Sequence, residues 1–262
     1  MQRIITGIIL FLVVCGVLFY LPEKYFMALV ALGCIAGLYE VAMMYKFNLI
    51  NRIGLFAVFI AISYMLCFTS YDANPGAKIA ILILWVIIIP LILIVKFSKL
   101  NQFIVGVLAL AVFSLAFYSI IMLHILFGPL QLLLLMMIAW ISDSFAYFVG
   151  KRYGKHKFAP QISPGKSVQG AVAALVSVSI YLLILKHFNL SMFVYNTERL
   201  ILFALVLTTA GIVGDLFESW LKRVAGVKDS GAILPGHGGV FDRIDSLLAI
   251  VTIAYLMISG FN

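Results

Sequence analysis

Between residues 219 and 245 the chain reads SWLKRVAGVKDSGAILPGHGGVFDRID. The segment gathers four basic residues (Lys222, Arg223, Lys228, Arg243), three aspartates (Asp229, Asp242, Asp245), one histidine (His237) and five glycines. Lysine and arginine bind phosphate, aspartate binds hard divalent cations, and glycine lets backbone N–H groups approach phosphate oxygens. The combination suits a polyphosphate held together with a divalent cation. It does not suit zinc, because no cysteine or second histidine stands at ligand spacing from His237. A phosphate contact fits His237 better. A second polar stretch, Lys151 to Lys166, carries five basic residues and no acidic one. Pro160 and Pro164 prevent one helix from running through it. Ser163, Lys166 and Ser167 stand at the entrance of the next apolar run, where hydroxyls and free N–H groups at a helix start can hold phosphate oxygens.

The elements that position these residues are oily. Of 262 residues 65% are hydrophobic and 11% charged, more oil than a water-facing surface tolerates. The expectation is an all-α polytopic integral membrane protein with about nine transmembrane helices, near 4–21, 25–44, 53–70, 79–97, 103–127, 129–150, 168–187, 199–218 and 246–260. It forms a single membrane domain over 1–262, with 1–128 mainly scaffold and 129–262 carrying the catalytic helices and loops. Glu40, Asp143, Asp215 and Glu218 fall inside or at the edge of spans. An unpartnered carboxylate there costs several kcal/mol, so a functional role is the default. On a helix Asp215, Ser219 and Lys222 share one face, with Glu218 adjacent. Asp215 reads as a metal ligand in preference to a structural partner of a lysine or arginine. Asp143 is a ligand or orients one. Glu40 reads as a buried helix–helix partner. Asp242 and Asp245 can share a face at the start of the last span, where acidic residues also suit the helix dipole.

Lysine and arginine placement sets the topology. One alternating set of segments holds 14 of the 18 basic residues, among them Arg3, Lys155, Lys166, Lys228 and Arg243; the other holds Lys24, Lys78, Lys186 and Arg199. By the positive-inside rule the rich set, the N-terminus and both polar stretches are cytoplasmic. The net charge of +8 sits in short loops beside spans, so anionic lipid and orientation explain it and nucleic acid does not. Cys15, Cys34 and Cys67 lie inside predicted helices, an odd count without paired spacing, and read as packing residues.

The order Ser219, Lys222-Arg223, Lys228-Asp229, Gly231, Leu234-Pro235, His237-Gly238-Gly239, Asp242-Arg243, Asp245 resembles the signature of the phosphatidate cytidylyltransferase (CDP-diacylglycerol synthase) family. Asp143 to Tyr147, Gly150 and Ile162 to Gly170 resemble the family's second motif region. Ser167 and Gln169 stand where many members carry Thr and Glu; Ser keeps the hydroxyl, while Gln lacks the charge of a metal ligand. The likeness is specific over roughly 139–246. It implies transfer of a cytidylyl group from CTP to phosphatidate in the bilayer, with Mg²⁺ or Mn²⁺ as cofactor, at the cytoplasmic face of a bacterial-type inner membrane, and it leaves a homodimer open. In that frame Asp215, Asp242, Asp143 and Asp245 are the metal candidates, Asp245 as ligand or as support for one. Asp215, Lys222, Arg223, Lys228, Asp229, His237, Asp242 and Arg243 are the catalytic candidates. Ser163, Lys166, Ser167, Ser219, Gly238 and Gly239 are the substrate-binding ones. The alternatives are a CTP-dependent lipid kinase, an ether-lipid cytidylyltransferase, or a proton- or cation-coupled transporter using the intramembrane carboxylates as relays.

Overall fold

The computed structural model describes residues 2–68, 74–190, 197–233 and 238–260, with side chains for all of these except 2–10, 68 and 197. Every regular element among them is a helix. An isolated β-bridge pairs Lys157 with Ser167. In chain order the elements are α1 (Gln2–Tyr20), α2 (Glu23–Met44), α3 (Leu49–Phe68), a rod made of α4 (Pro75–Leu82), a π-helical turn (Ile83–Ile88) and α5 (Ile89–Val95), then α6 (Gln102–Tyr153), α7 (Val168–His187), α8 (Thr197–Val224) and α9 (Phe241–Gly260).

Local chemistry sets the ends and breaks. The Asn74 side chain accepts from the N–H groups of Gly76 and Ala77, and Pro75 opens α4 where its missing N–H costs nothing. The π turn runs into Pro90, which has no N–H to continue the ladder. Asn101 caps α6 and Ser167 caps α7 through the Gly170 N–H. Gly128 breaks α6 at φ 82°, ψ 170°, backbone that only glycine adopts without strain. Pro129 follows it, so α6 is two arms, 102–127 and 129–153.

Among the described residues six helices are long and apolar enough to cross a membrane: α2, α3, the α4–α5 rod, α6, α7 and α8. Large apolar side chains lie bare on the outer faces, including Ile50 at 80% and Phe103 at 78% exposure, a surface that belongs in lipid. The chain is therefore a multi-pass, all-helical membrane protein. The expected count of about nine crossings is not confirmed, since α6 counts once and α1 and α9 are not among the six.

α9 is the centre of the bundle. Every residue from Ser246 to Tyr255 is buried, as its all-round apolar surface requires. It packs on α8 and α6, and also on α4 and α2. Lys78 Nζ donates to the Ser259 carbonyl at the far end of α9 (2.7 Å), where cations suit a helix C-terminus. Gly214 brings α8 onto α9: a Cβ there would stand 2.6 Å from the Asp245 carbonyl oxygen and 2.9 Å from Ala249 Cβ. Small residues allow this backbone contact between membrane helices. It sets Asp215, the next residue along, beside the first turns of α9.

Candidate active site

Three groups of polar side chains meet where α6, α7, α8 and α9 converge. The first is a cavity of about 440 Å³ between the second arm of α6, the basic loop and α7. Asp143, Ser163, Lys166, Ser167 and Asp215 line it, together with Lys151 and Lys157. Lys166 Nζ lies 2.8 Å from Asp215 Oδ2 and donates to the Ile212 carbonyl (3.2 Å). Asp143 Oδ2 accepts from Ser246 Oγ (2.8 Å). The cavity is thus basic at its rim and acidic at its floor, and the start of α7 opens onto it.

The second group shares Asp215. Carboxylate oxygens of Asp215, Glu218 and Asp245 lie within 4.8 Å of one another. Asp215 and Glu218 are one turn apart on α8, and Gly214 has pressed α9 close enough to add Asp245. Ser219 Oγ donates to Asp215 Oδ1 (3.2 Å), and Asp245 Oδ1 accepts from the Ser246 N–H (2.7 Å). Glu218 Oε1 is buried and has no hydrogen-bond partner. Three carboxylates, one of them with a buried oxygen left without a donor, match what a hard divalent cation takes. The cluster can hold one.

The third group is a clamp. Lys222 Nζ sits 2.7 Å from Glu218 Oε2 and 2.7 Å from Asp242 Oδ1. Asp242 Oδ2 accepts from the N–H groups of Ser230 (3.0 Å) and Gly239 (2.9 Å). At Gly238, φ is 82° and a Cβ would stand 3.1 Å from Asp242 Oδ2, so glycine serves both backbone and space there. Asp242 therefore holds the 219–245 loop closed on the end of α8.

The remaining candidates are set apart. Arg223 on α8, Arg243 on α9, and Lys228 and Asp229 on the loop between them are exposed, with Arg223 Nε donating to the Ile162 carbonyl of the basic loop (3.3 Å). His237, Leu234 and Pro235 lie outside the described residues. Gln169, noted for its missing charge, pairs with His156: its Oε1 accepts from the His156 N–H (3.2 Å) and its Nε2 meets His156 Nδ1 (2.9 Å). Two residues were undervalued in the sequence reading. Glu218 belongs to the carboxylate cluster, and its spacing of three from Asp215 on a membrane helix is the signal that could have found it. Glu40 reaches the loop from α2, which no local pattern announces.

A multi-pass helical membrane protein with a basic cavity closing on a carboxylate cluster belongs to the class of membrane enzymes that handle phosphate compounds. The sequence settles which: the chain belongs to the Cytidylyltransferase family, whose pattern matches residues 1–261, and it is a nucleotidyltransferase. It is 34% identical to a phosphatidate cytidylyltransferase of Bacillus subtilis over 276 aligned positions, covering 100% of this chain and 98% of that one. It is 41% identical to the phosphatidate cytidylyltransferase of Haemophilus influenzae over 161 residues, or 61% of this chain and 54% of that one. The enzyme of the same name from Thermotoga maritima is 40% identical over 134 residues, half of each chain. The match thus spans about half the length of the Haemophilus and Thermotoga relatives and nearly all of the Bacillus one. Neither the lipid-kinase nor the transporter reading is favoured by these relatives.

Proposed function

We propose that the protein transfers the cytidylyl group of CTP to phosphatidate, forming CDP-diacylglycerol and pyrophosphate. The observation that carries the reading is Asp215, shared between a lysine-rimmed cavity and a three-carboxylate cluster, in a chain alignable end to end with a phosphatidate cytidylyltransferase. An oxygen of the phosphatidate phosphate attacks the α-phosphorus of CTP, the bond from that phosphorus to the bridging oxygen of the β-phosphate breaks, and pyrophosphate leaves with the electron pair. A phosphomonoester with a second pKa near 6 is largely ionised at neutral pH. The nucleophile needs no strong base, which suits a site without a nucleophilic triad. What it needs is a way for two anions to meet.

Each group has a part in that meeting. Lys166, Lys151, Lys157 and the hydroxyls of Ser163 and Ser167 bind phosphate in the cavity. Lys222 offsets charge at the cluster's edge, and Arg223, Lys228 and Arg243, with His237, receive the pyrophosphate. Asp215, Glu218 and Asp245 would hold a divalent cation, Mg²⁺ or Mn²⁺, which when bound would neutralise the triphosphate and polarise the reacting phosphorus. Asp143 supports this edge through Ser246. Asp242, first expected as a ligand, is assigned the clamp instead, because both its oxygens are engaged by Lys222 and loop N–H groups.

The same reading gives one membrane domain with nine crossings, counting α6 as two at the Gly128–Pro129 break and adding α1 and α9. The N-terminus and both polar loops then face the cytoplasm, as the lysine and arginine bias supports. Acyl chains stay in the bilayer while the headgroup enters the cavity. The test is purified protein in phosphatidate micelles with Mg²⁺ and α-labelled CTP. Label is expected in lipid, with pyrophosphate released only when all three components are present; a lipid phosphate with free CDP would sink the reading. For orientation, a cysteine-free variant carrying Lys228→Cys is expected to resist an impermeant maleimide in intact cells and to react in inverted vesicles.

A further inference from the structure

Glu40 lies one turn from the end of α2 and is 1% exposed. No residue of its own helix accounts for its burial. Its oxygens point across the bundle at the start of α9: Oε1 accepts from the Val240 N–H (2.9 Å), and Oε2 from the Phe241 N–H (2.8 Å) and Ser230 Oγ (3.0 Å). The first N–H groups of a helix have no partner within it. They are usually met by a Ser, Thr, Asp or Asn at the cap, but residue 240 is a valine and supplies none. The loop is also folded down on the carboxyl. A Cβ at Gly231 would stand 2.6 Å from Glu40 Oε1, and one at Gly239 2.6 Å from Oε2. Two glycines of the 219–245 segment are thus required by a side chain about 200 positions away, and Asp245 follows Phe241 by one helical turn.

We propose that Glu40 is a positioning residue for the reaction. By capping α9 from α2 it fixes the rotation and height of the turn that bears Asp242 and Asp245, and through it the approach of Asp245 to Asp215 and Glu218. The inference rests on reading those three carboxylates as the cation-holding group. The glycine-rich loop cannot hold this register alone, because glycine backbone is free to leave it, and an uncapped first turn frays. A residue that acts one step behind metal ligands typically changes metal affinity or activity by about 10–100-fold when altered.

Glu40→Gln is the test, since it keeps shape but turns an NH₂ donor toward N–H donors. Hydrogen exchange, which needs no activity, is expected to quicken in peptides covering 238–245 and to stay unchanged in α3 and α7. The Mg²⁺ concentration for half-maximal activity is expected to rise by about 10–100-fold, while KM for CTP at saturating Mg²⁺ stays near the wild-type value. Glu40→Asp, one methylene too short to reach both amides, should show the same pair of changes. Ser230→Ala, which leaves both amide bonds, should show neither. Wild-type exchange and Mg²⁺ dependence in Glu40→Gln would overturn the proposal. So would a uniform rise in exchange with unchanged Mg²⁺ dependence, or failure of both Glu40 variants to yield folded protein, since each marks a purely structural role. A wild-type protein inactive on CTP and phosphatidate would refute the proposed reaction and leave the exchange result to judge the cap.

Discussion

Two carboxylate groups stand within one helical turn of each other and are treated in opposite ways. All four oxygens of Glu40 and Asp242 accept hydrogen bonds from the protein, five of the six donors being backbone N–H groups or the Lys222 ammonium. In the cluster of Asp215, Glu218 and Asp245, three carboxylates crowd within 4.8 Å around a buried Glu218 oxygen without a donor. The same residue types build a fastening in one place and, on the proposed reading, a cation site in the other. The difference lies in where the loop's N–H groups point. The glycine-rich segment aims its amides at Glu40 and Asp242, whereas the cluster is met by Lys166, Lys222, Ser219 and the Ser246 N–H, with Glu218 Oε1 left over.

The comparison predicts opposite signs for stability, and the largest effect on activity falls in the cluster. Asp215→Asn and Asp245→Asn should each lower kcat by about 100-fold or more, because several kcal/mol of charge stabilisation depend on the ion they are proposed to hold. In EDTA the unfolding midpoint of Asp245→Asn should match or exceed the wild type, since a like-charge neighbour has been removed, whereas Asp215→Asn also gives up the ion pair with Lys166. Added Mg²⁺ should raise the midpoint of the wild type, as any ligand of the folded state does, and leave that of Asp245→Asn unchanged. A loss of stability in EDTA for Asp245→Asn would mean that the cluster is a fastening too.

The next effect belongs to the clamp. Asp242→Asn leaves Lys222 short of an acceptor and opposes an NH₂ to loop N–H groups. It should cost about 2 kcal/mol of stability with or without Mg²⁺, measured by denaturation in detergent, with activity falling as the loop loosens. The smallest effect is expected from Ser219→Ala, which removes one hydroxyl donor from Asp215 and leaves its charge. Stability should change by no more than about 1 kcal/mol, and half-saturation by Mg²⁺ should shift only slightly in a titration. If Ser219→Ala matched Asp215→Asn, hydrogen bonding and not charge would govern the cluster.

The sequence showed much of this and hid a specific remainder. The span read at 168–187 coincides with α7, and the division of 103–150 at Gly128–Pro129 is the break in α6. Hydropathy stops where oil stops, whereas helical hydrogen bonding does not. The span read as 199–218 therefore continues to Val224, carrying Lys222 and Arg223 on helix, and the last one begins at Phe241 instead of 246. Asp215, Ser219 and Lys222 were legible as one helical face because spacing alone places them. The place of Asp242 was not legible, since a pattern of Asp, Arg and Asp does not reveal whether an oxygen meets a metal or an amide. Glu40 was legible as buried and opaque in purpose, because its donors lie about 200 residues along the chain.

That separation carries a consequence for biosynthesis. A ribosome delivers Glu40 to the membrane long before it makes Val240 and Phe241, and chains grow at about 5–20 residues per second. For roughly ten seconds or more the carboxyl must wait beside the bilayer without its donors, an arrangement costing several kcal/mol in hydrocarbon. α2 therefore has good reason to rest with Glu40 at the water boundary until the final helix arrives. The final helix brings the two amides that the carboxyl lacks until then, so the cap on α9 cannot form before the last span is made.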